Sequence, residues 1–409
     1  MKLREDADNI IKASLQAVLP DEAVARALAG KEFGGRVYMV AAGKAAWQMA
    51  HVAAKILDEK LTAGVVVTKY DHVKGEIPKT VCYEAGHPVP DENSFRATQA
   101  ALDLVSGLSK EDTVLFLLSG GGSALFEKPL ISSEELSGLT QSLLASGADI
   151  VEINTLRKHL SAVKGGRFAL ACMPAQVYSI VLSDILGDPL DMIASGPAYP
   201  DSSTGEDALR IAEKYQISLS AHARELLLQE TPKTLSNVET QITGSVRELC
   251  RAAKEAAQKI GYETIVLTDQ LSCEAKEAGA FLAAIAKTHQ NSKKSLAFIA
   301  GGETVVHLTG KGKGGRNQEL ALSAAEGIAG LSDTAVFSIG SDGTDGPTDA
   351  AGGYCDQDTK GELLKQNISI YDVLRENDAY HALQKSGGLI LTGATGTNVN
   401  DVAVLLIRR

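Results

Sequence analysis

Short apolar runs alternate with helix-like stretches along most of this chain, and that alternation restricts its fold more than any single motif does. Arg36–Ala41, Gly64–Thr68, Thr113–Leu118, Val177–Leu182, Glu263–Leu267, Leu296–Ala300, Ala335–Ile339 and Leu389–Thr392 read as strands. Between them lie segments of helical spacing, such as Asp8–Leu19 with Ile11, Leu15 and Val18, closed by Pro20. Another is Lys44–Leu57, entered through the turn at Gly43. Strands that alternate with helices predict an α/β fold: a mostly parallel sheet with helices on both faces. At 409 residues the chain has room for two or three domains. The weakly periodic stretch Leu228–Val238, with Thr231-Pro232, is the expected seam. It gives domains 1–235 and 236–409, the last segment being free to cross back to the first domain.

Charge narrows the class of partner. A formal net charge of −11 argues against nucleic acid, so any handling of anions requires locally concentrated positive charge. The five cysteines form no CxxC, which predicts buried reduced thiols rather than disulfides or a thiolate zinc site. The N-terminus lacks an apolar signal core and no apolar run reaches membrane-spanning length, so the expectation is a soluble, cytoplasmic protein with no membrane partner, a monomer or homodimer.

Glycine-rich loops at strand ends carry the candidate chemistry. Strand Thr113–Leu118 feeds Ser119-Gly120-Gly121-Gly122-Ser123, where successive glycines expose N–H groups and a following helix adds partial positive charge; both suit phosphate. The GxxxxGK[ST] pattern of P-loop NTPases is absent. Lys44 stands at the first turn of a helix directly after a strand, where a cation opposes the helix dipole and calls for an anion. Asn154–Arg167 holds Arg157, Lys158, Lys164 and Arg167 and no acid, the local positive field that the charge argument requires. If this segment is helical, Arg157, Ser161 and Lys164 share a face. Asp184 falls at a strand end, with Asp188 close behind as a metal partner or helix cap. The run Ala335–Asp349 ends in a loop with Asp342, Asp345 and Asp349, three acids whose mutual repulsion suggests a metal or a proton to be taken. Gly310, Gly312 and Gly315 formally satisfy GxGxxG, but two lysines sit inside the turn and the acid spacing is wrong for a dinucleotide.

Taken together, these motifs resemble the MOFRL-type, or class II, glycerate kinases. The residues are Ala42-Gly-Lys44-Ala-Ala-Trp47, Glu84-Ala-Gly-His-Pro-Val-Pro-Asp91, Leu118–Ser123, Asn154–His159 and Leu182–Asp188. Gly301-Gly-Glu303-Thr, Gly314–Glu319, Gly343–Gly352 and Thr395–Asp401 continue the series across nearly the whole chain. The resemblance implies transfer of a phosphoryl group from ATP, with Mg²⁺, to D-glycerate at the 2-hydroxyl. It also implies a Rossmann-like N-terminal domain and a smaller C-terminal α/β domain with the active site between them. Lys44, Arg316 and Asp342 take the family's catalytic positions. The expected division of labour is phosphate cradling by Ser119–Ser123, metal binding by Asp184 and Asp188, and substrate binding by Asn154, Arg157, Lys158, Glu303 and Asn317.

Two other readings compete. The GxGxxG-like loop would serve an NAD(P)H-dependent hydroxypyruvate reductase, against which its lysines argue. A sugar-acid sensor would need an effector or DNA-binding module, and no such signature is present.

Overall fold

The computed structural model describes residues 2–409 and divides into two compact units: Ala23–Ser183 with Asp188–Thr243, and the stretches 2–22, Asp184–Gly187 and Gly244–Arg409.

The first unit is built on a six-stranded sheet: β1 (Val37–Ala42), β2 (Leu61–Lys69), β3 (Thr80–Ala85), β4 (Thr113–Leu118), β5 (Gln176–Leu182) and β6 (Val238–Gly244). Their order is β3-β2-β1-β4-β5-β6, and the ladders from β3 through to β5 are parallel. β1 is buried throughout and β4 at all but its first residue, the signature of strands covered on both faces. Helix Ala46–Leu57 lays Trp47, Met49, Ala50 and Ala53 on that sheet. A separate cluster joins helices Ser133–Ala145, Ile150–His159, Gly205–Lys214 and Ala221–Leu228 through Leu139, Leu156 and Leu227. In the order 3-2-1-4-5-6 successive strands build outward in opposite directions from β1 and β4. A crevice therefore opens beyond their carboxyl ends, the place where open α/β sheets bind ligands.

The second unit carries β7 (Glu263–Leu271), β8 (Leu296–Gly302), β9 (Thr334–Gly340), β10 (Gly352–Asp356), β11 (Leu389–Ile390) and β12 (Asp401–Ile407). Here the order is β11-β10-β9-β12-β8-β7. Only β7 and β8 pair in parallel; β12 lies antiparallel between β8 and β9, so this sheet is mixed. The strand β12, Asp-Val-Ala-Val-Leu-Leu-Ile, is buried along its whole length.

The observed units depart from a division at 235/236. Strand β6 extends the first unit to Thr243, and it is the first helix, not the last segment, that leaves its neighbours in sequence. Helix Lys2–Ala17 buries Leu3, Ala7, Ile10, Ile11 and Leu15 on one stripe, packed with Leu249, Phe337 and Val404 of the second unit. Asp6, buried on the same helix, accepts a hydrogen bond from Tyr262 Oη (2.7 Å) and pairs with Arg408. All five cysteines are free, but only Cys172, Cys250 and Cys355 are buried; Cys273 is exposed.

Candidate active site

At the carboxyl ends of β1 and β4 the two turns are locked together. Lys44 N–H donates to the Gly120 carbonyl (2.9 Å) and Ser119 N–H to that of Ala42 (3.0 Å). Ser119 Oγ accepts the N–H of Ala45, the N-cap of helix Ala46–Leu57, which has no side-chain cap of its own (3.1 Å). Gly43 (φ +127°) is required here, since a Cβ would lie 2.2 Å from Ser119 Oγ. Ser119 is thus buried and committed to the turn, and exposed backbone for a ligand begins at Gly120 and Gly121. The helix after the loop, Gly122–Leu125, is only four residues long and supplies little of the dipole expected of it.

Lys44 just precedes its helix rather than lying within it. Its side chain is exposed and forms no ion pair or hydrogen bond among the described residues. Around the point where a Gly121 side chain would begin stand His87 Nε2 (3.1 Å) and Lys44 Cγ (3.2 Å). Burial, Lys44 and Lys69 together hold the His87 imidazole below its ordinary pKa.

The segment Asn154–Arg167 corrects an expectation. Its helix ends at His159, so Arg157, Ser161 and Lys164 do not form one helical face. Nor is its charge free. Lys164 is wholly buried; its Nζ donates to the carbonyls of Ser123 (2.8 Å) and Phe126 (3.2 Å) and lies 3.3 Å from Glu127. Arg157 Nη2 donates to the same Ser123 carbonyl (2.9 Å) and sits 3.7 Å from Glu127. Lys158, expected to bind substrate, is buried against Asp201 (3.1 Å) and Asp191 (3.4 Å). Asn154 is buried as well and accepts from Ser195 Oγ (3.0 Å), which lies 3.3 Å from Ser123 Oγ. Lys164, Arg157 and, through Ser195, Asn154 brace the Ser123 end of the loop, whereas Lys158 is tied up by Asp201 and Asp191. The partner acids, Glu127 and Asp201, lie 30 or more residues away in sequence, which is why a local reading misses them.

In the second unit, Asp401 begins β12 opposite Gly302 of β8 and Gly340 of β9. Arg316, opening helix Arg316–Ile328, donates through Nε (2.6 Å) and Nη2 (3.1 Å) to the Asp401 carboxylate and through Nη1 to Glu303 (2.7 Å). Burial pushes the Asp401 carboxyl up to about 6 even with Arg316 beside it. The ideal Cβ position of Gly340 is 3.3 Å from Asp342 Oδ1 and 3.4 Å from Asp401 Oδ1, so Arg316, Asp401 and Asp342 gather at one end of the sheet.

The three loop acids divide their work. Asp342 is half-buried and accepts the Thr344 N–H (3.0 Å). Asp345 is buried and caps helix Arg316–Ile328, accepting the N–H groups of Asn317 (3.1 Å) and Gln318 (2.9 Å). Asp349 is exposed and accepts from Tyr380 Oη (2.7 Å). Asn317, expected at the substrate, is an internal strut between Ser338 Oγ (2.6 Å) and Asp345 (3.3 Å).

A domain of unknown function, DUF4147, matches residues 6–228, and the MOFRL family matches 296–401. A D-glycerate 2-kinase of Thermotoga maritima is 54% identical over 411 residues, covering 99% of this chain and 98% of that protein. A glycerate 2-kinase of Pyrococcus horikoshii is 41% identical over 435 residues, covering 100% and 98%. The crystal structure of the Thermotoga maritima glycerate kinase matches with a TM-score of 0.96 over 99% of both chains. The chain belongs to the MOFRL-type glycerate kinase family.

In this glycerate kinase family member the GxGxxG-like loop is no dinucleotide turn. Thirteen residues, 303–315, separate β8 from helix Arg316–Ile328 instead of one tight turn. Its glycines serve packing: a Cβ would lie 2.3 Å from the backbone of Glu376 at Gly310, 2.5 Å from Asp378 at Gly312 and 2.3 Å from Asp345 at Gly315. Among the described residues no group of three or more His, Cys, Asp or Glu is arranged to hold a metal. Asp188 does offer one buried carboxylate oxygen, Oδ1, without a hydrogen-bond donor. That suits Mg²⁺, which commonly takes one or two carboxylates and completes its shell with water and phosphates. His87, Lys69 and Asp401 also lie at or next to strand ends, and motif reading left them without roles.

Proposed function

We propose that the protein is a glycerate 2-kinase that uses ATP and Mg²⁺ to convert D-glycerate to 2-phosphoglycerate. One observation carries this reading: an exposed, unpaired Lys44 stands against the Gly120–Gly121 turn at the β1/β4 switch point. A cation without a protein counter-charge, beside glycine backbone at this topological position, fits a phosphate-bearing ligand.

Phosphoryl transfer asks mainly for positioning and charge stabilisation. Gly120–Ser123 cradles the phosphates, and Lys44 neutralises charge on the transferring group. Arg316, its guanidinium fixed by Asp401 and Glu303, is the second unit's own candidate for stabilising phosphoryl charge. Asp342 takes the proton of the glycerate 2-hydroxyl as that oxygen bonds to the γ-phosphorus and the bond to the β-phosphate oxygen breaks, releasing ADP. Asp188, with its unpartnered Oδ1, is the carboxylate that would hold Mg²⁺, with Asp184 four residues before it, and the ion would supply charge neutralisation to the phosphates. Of the residues expected to contact substrate, Asn154, Lys158 and Asn317 are enclosed and Arg157 is committed to Ser123 and Glu127, which leaves Glu303 as the candidate.

The test is ³¹P NMR of the protein with ATP, Mg²⁺ and D-glycerate, run beside an NADH-oxidation assay with hydroxypyruvate. A 2-phosphoglycerate resonance with NADH untouched is the expected result. A 3-phosphoglycerate signal would overturn the 2-position, and NADH loss without phosphoryl transfer would overturn the kinase.

A further inference from the structure

Three neighbouring parallel strands of the first sheet each run into a basic residue at the same edge. β1 leads to Lys44, β2 ends on Lys69, and β3 leads through Ala85-Gly86 to His87. We propose that His87, with Lys44 and Lys69, contacts a phosphoryl group held at the Gly120–Ser123 loop. This rests on the phosphate-binding reading of that loop.

Geometry carries the assignment. The His87 ring and the Lys44 stem converge on the point where a side chain at Gly121 would project: His87 Cδ2 lies 3.0 Å, Nε2 3.1 Å and Lys44 Cγ 3.2 Å from the ideal Cβ of Gly121. Gly121 has φ +86°, so both the space and the backbone conformation exclude a side chain there.

None of the three basic side chains forms an ion pair or hydrogen bond among the described residues. The acids nearest in sequence are already engaged. Glu84 accepts the N–H groups of His72 and Val73 (2.9 Å each), and Asp91 accepts from Tyr70 Oη (2.7 Å) and Ser94 N–H (3.0 Å). A half-buried histidine is ordinarily satisfied by a carbonyl or carboxylate; this ring is not. Gathering three basic groups without an acid is unfavourable until an anion enters. Partial burial, then Lys44 and Lys69, hold the imidazole pKa below its ordinary value in the free protein. A bound phosphate reverses that balance, and by linkage the anion binds more tightly as the pH falls through the His87 midpoint.

The experiment follows the histidine ring by ¹⁵N-edited NMR of the full chain, assigned with His87→Gln, while selectively labelled glycine reports Gly120–Gly122. Tripolyphosphate represents the donor's phosphate chain, 2-phosphoglycerate the acceptor's phosphate and D-glycerate the carboxylate alone. Either phosphate probe should raise the His87 midpoint by about one unit, the equivalent of about tenfold tighter binding to the protonated form. The probe responsible tells which phosphate the ring meets. Subtracting the His87→Gln affinity profile removes the probe's own titration.

Loop glycines that respond to phosphate while His87 does not would overturn the inference and leave the loop reading intact. If neither responds, the loop reading falls with it. A shift produced by D-glycerate alone would assign the ring to the carboxylate and overturn the phosphate contact.

Discussion

Lys44 and Glu127 show how differently two charges in one unit behave. Lys44 is exposed and unpaired, so Lys44→Ala should leave stability within about 0.5 kcal/mol. The same change should lower kcat/KM by about 10³-fold or more, as loss of a charge-stabilising cation does in other phosphoryl transfers. Steady-state kinetics beside a melting curve separates the two effects. Glu127 is buried between Lys164 and Arg157. Glu127→Gln strands two cations at once and should cost about 3–5 kcal/mol, read by urea unfolding. Asp401 governs the acid limb. Its carboxyl, raised by burial to about 6, takes up a proton as the pH drops through that value and loosens the Arg316 clamp. Activity should therefore fall with a midpoint near 6, and Asp401→Asn should flatten that limb in a pH–rate profile. Stability runs the opposite way. With its folded pKa above the ordinary 3.8, this group's contribution is fully present below about pH 4 and is lost as the pH rises through about 6.

Among the elements, the turns after β1 and β4 act as one piece because Gly43 lets the Ser119 hydroxyl reach the start of the next helix. Gly43→Ala would bring its Cβ to 2.2 Å from Ser119 Oγ and 2.4 Å from the Ser119 carbonyl oxygen as well as straining φ +127°, and should cost more than about 2 kcal/mol. Gly107, with φ +72° and open space around it, supplies the control, since alanine there bears only the conformational strain of about 1–2 kcal/mol. Nucleotide affinity should fall for the first variant and hold for the second, a comparison that isothermal titration makes directly. Helix Arg316–Ile328 depends likewise on a borrowed cap. Its own N-cap, Gly315, has no side chain, and Asp345 supplies the acceptors from 28 residues away.

For the whole molecule, the N-terminal helix is part of the second unit's core. Leu3, Ile10, Ile11, Leu15 and Val18 all belong to the cluster that includes Phe337, Val404 and Leu406. At about 1.5–3 kcal/mol per buried side chain, their removal costs about 10 kcal/mol, comparable to the entire stability of a typical domain. Deleting residues 1–19 should therefore abolish cooperative unfolding of the second unit, while far-UV circular dichroism still reports the first. A transition as sharp as that of the full chain would show that the helix is dispensable.

The alternation of apolar runs and helical spacing determined the α/β class, because burial on both faces writes itself into each strand locally. Every expected strand has a counterpart, and Lys44, Gly120 and Gly121 stand at strand ends as the glycine pattern indicated. Four strands escaped that reading. β3 and β6 are partly exposed edges with polar residues, β10 begins with two glycines, and β12 returns antiparallel from a distant part of the chain. Only tertiary structure decided which cations are free. Lys44 and Lys158 look alike in sequence, yet one meets no acid and the other is sealed against Asp201, 43 residues away. The same holds for the acids, since Asp342, Asp345 and Asp349 differ by which N–H or hydroxyl reaches them. Local pattern fixes where the chain is buried; pairing of charge depends on contacts between residues far apart in sequence, which exist only once the chain has folded.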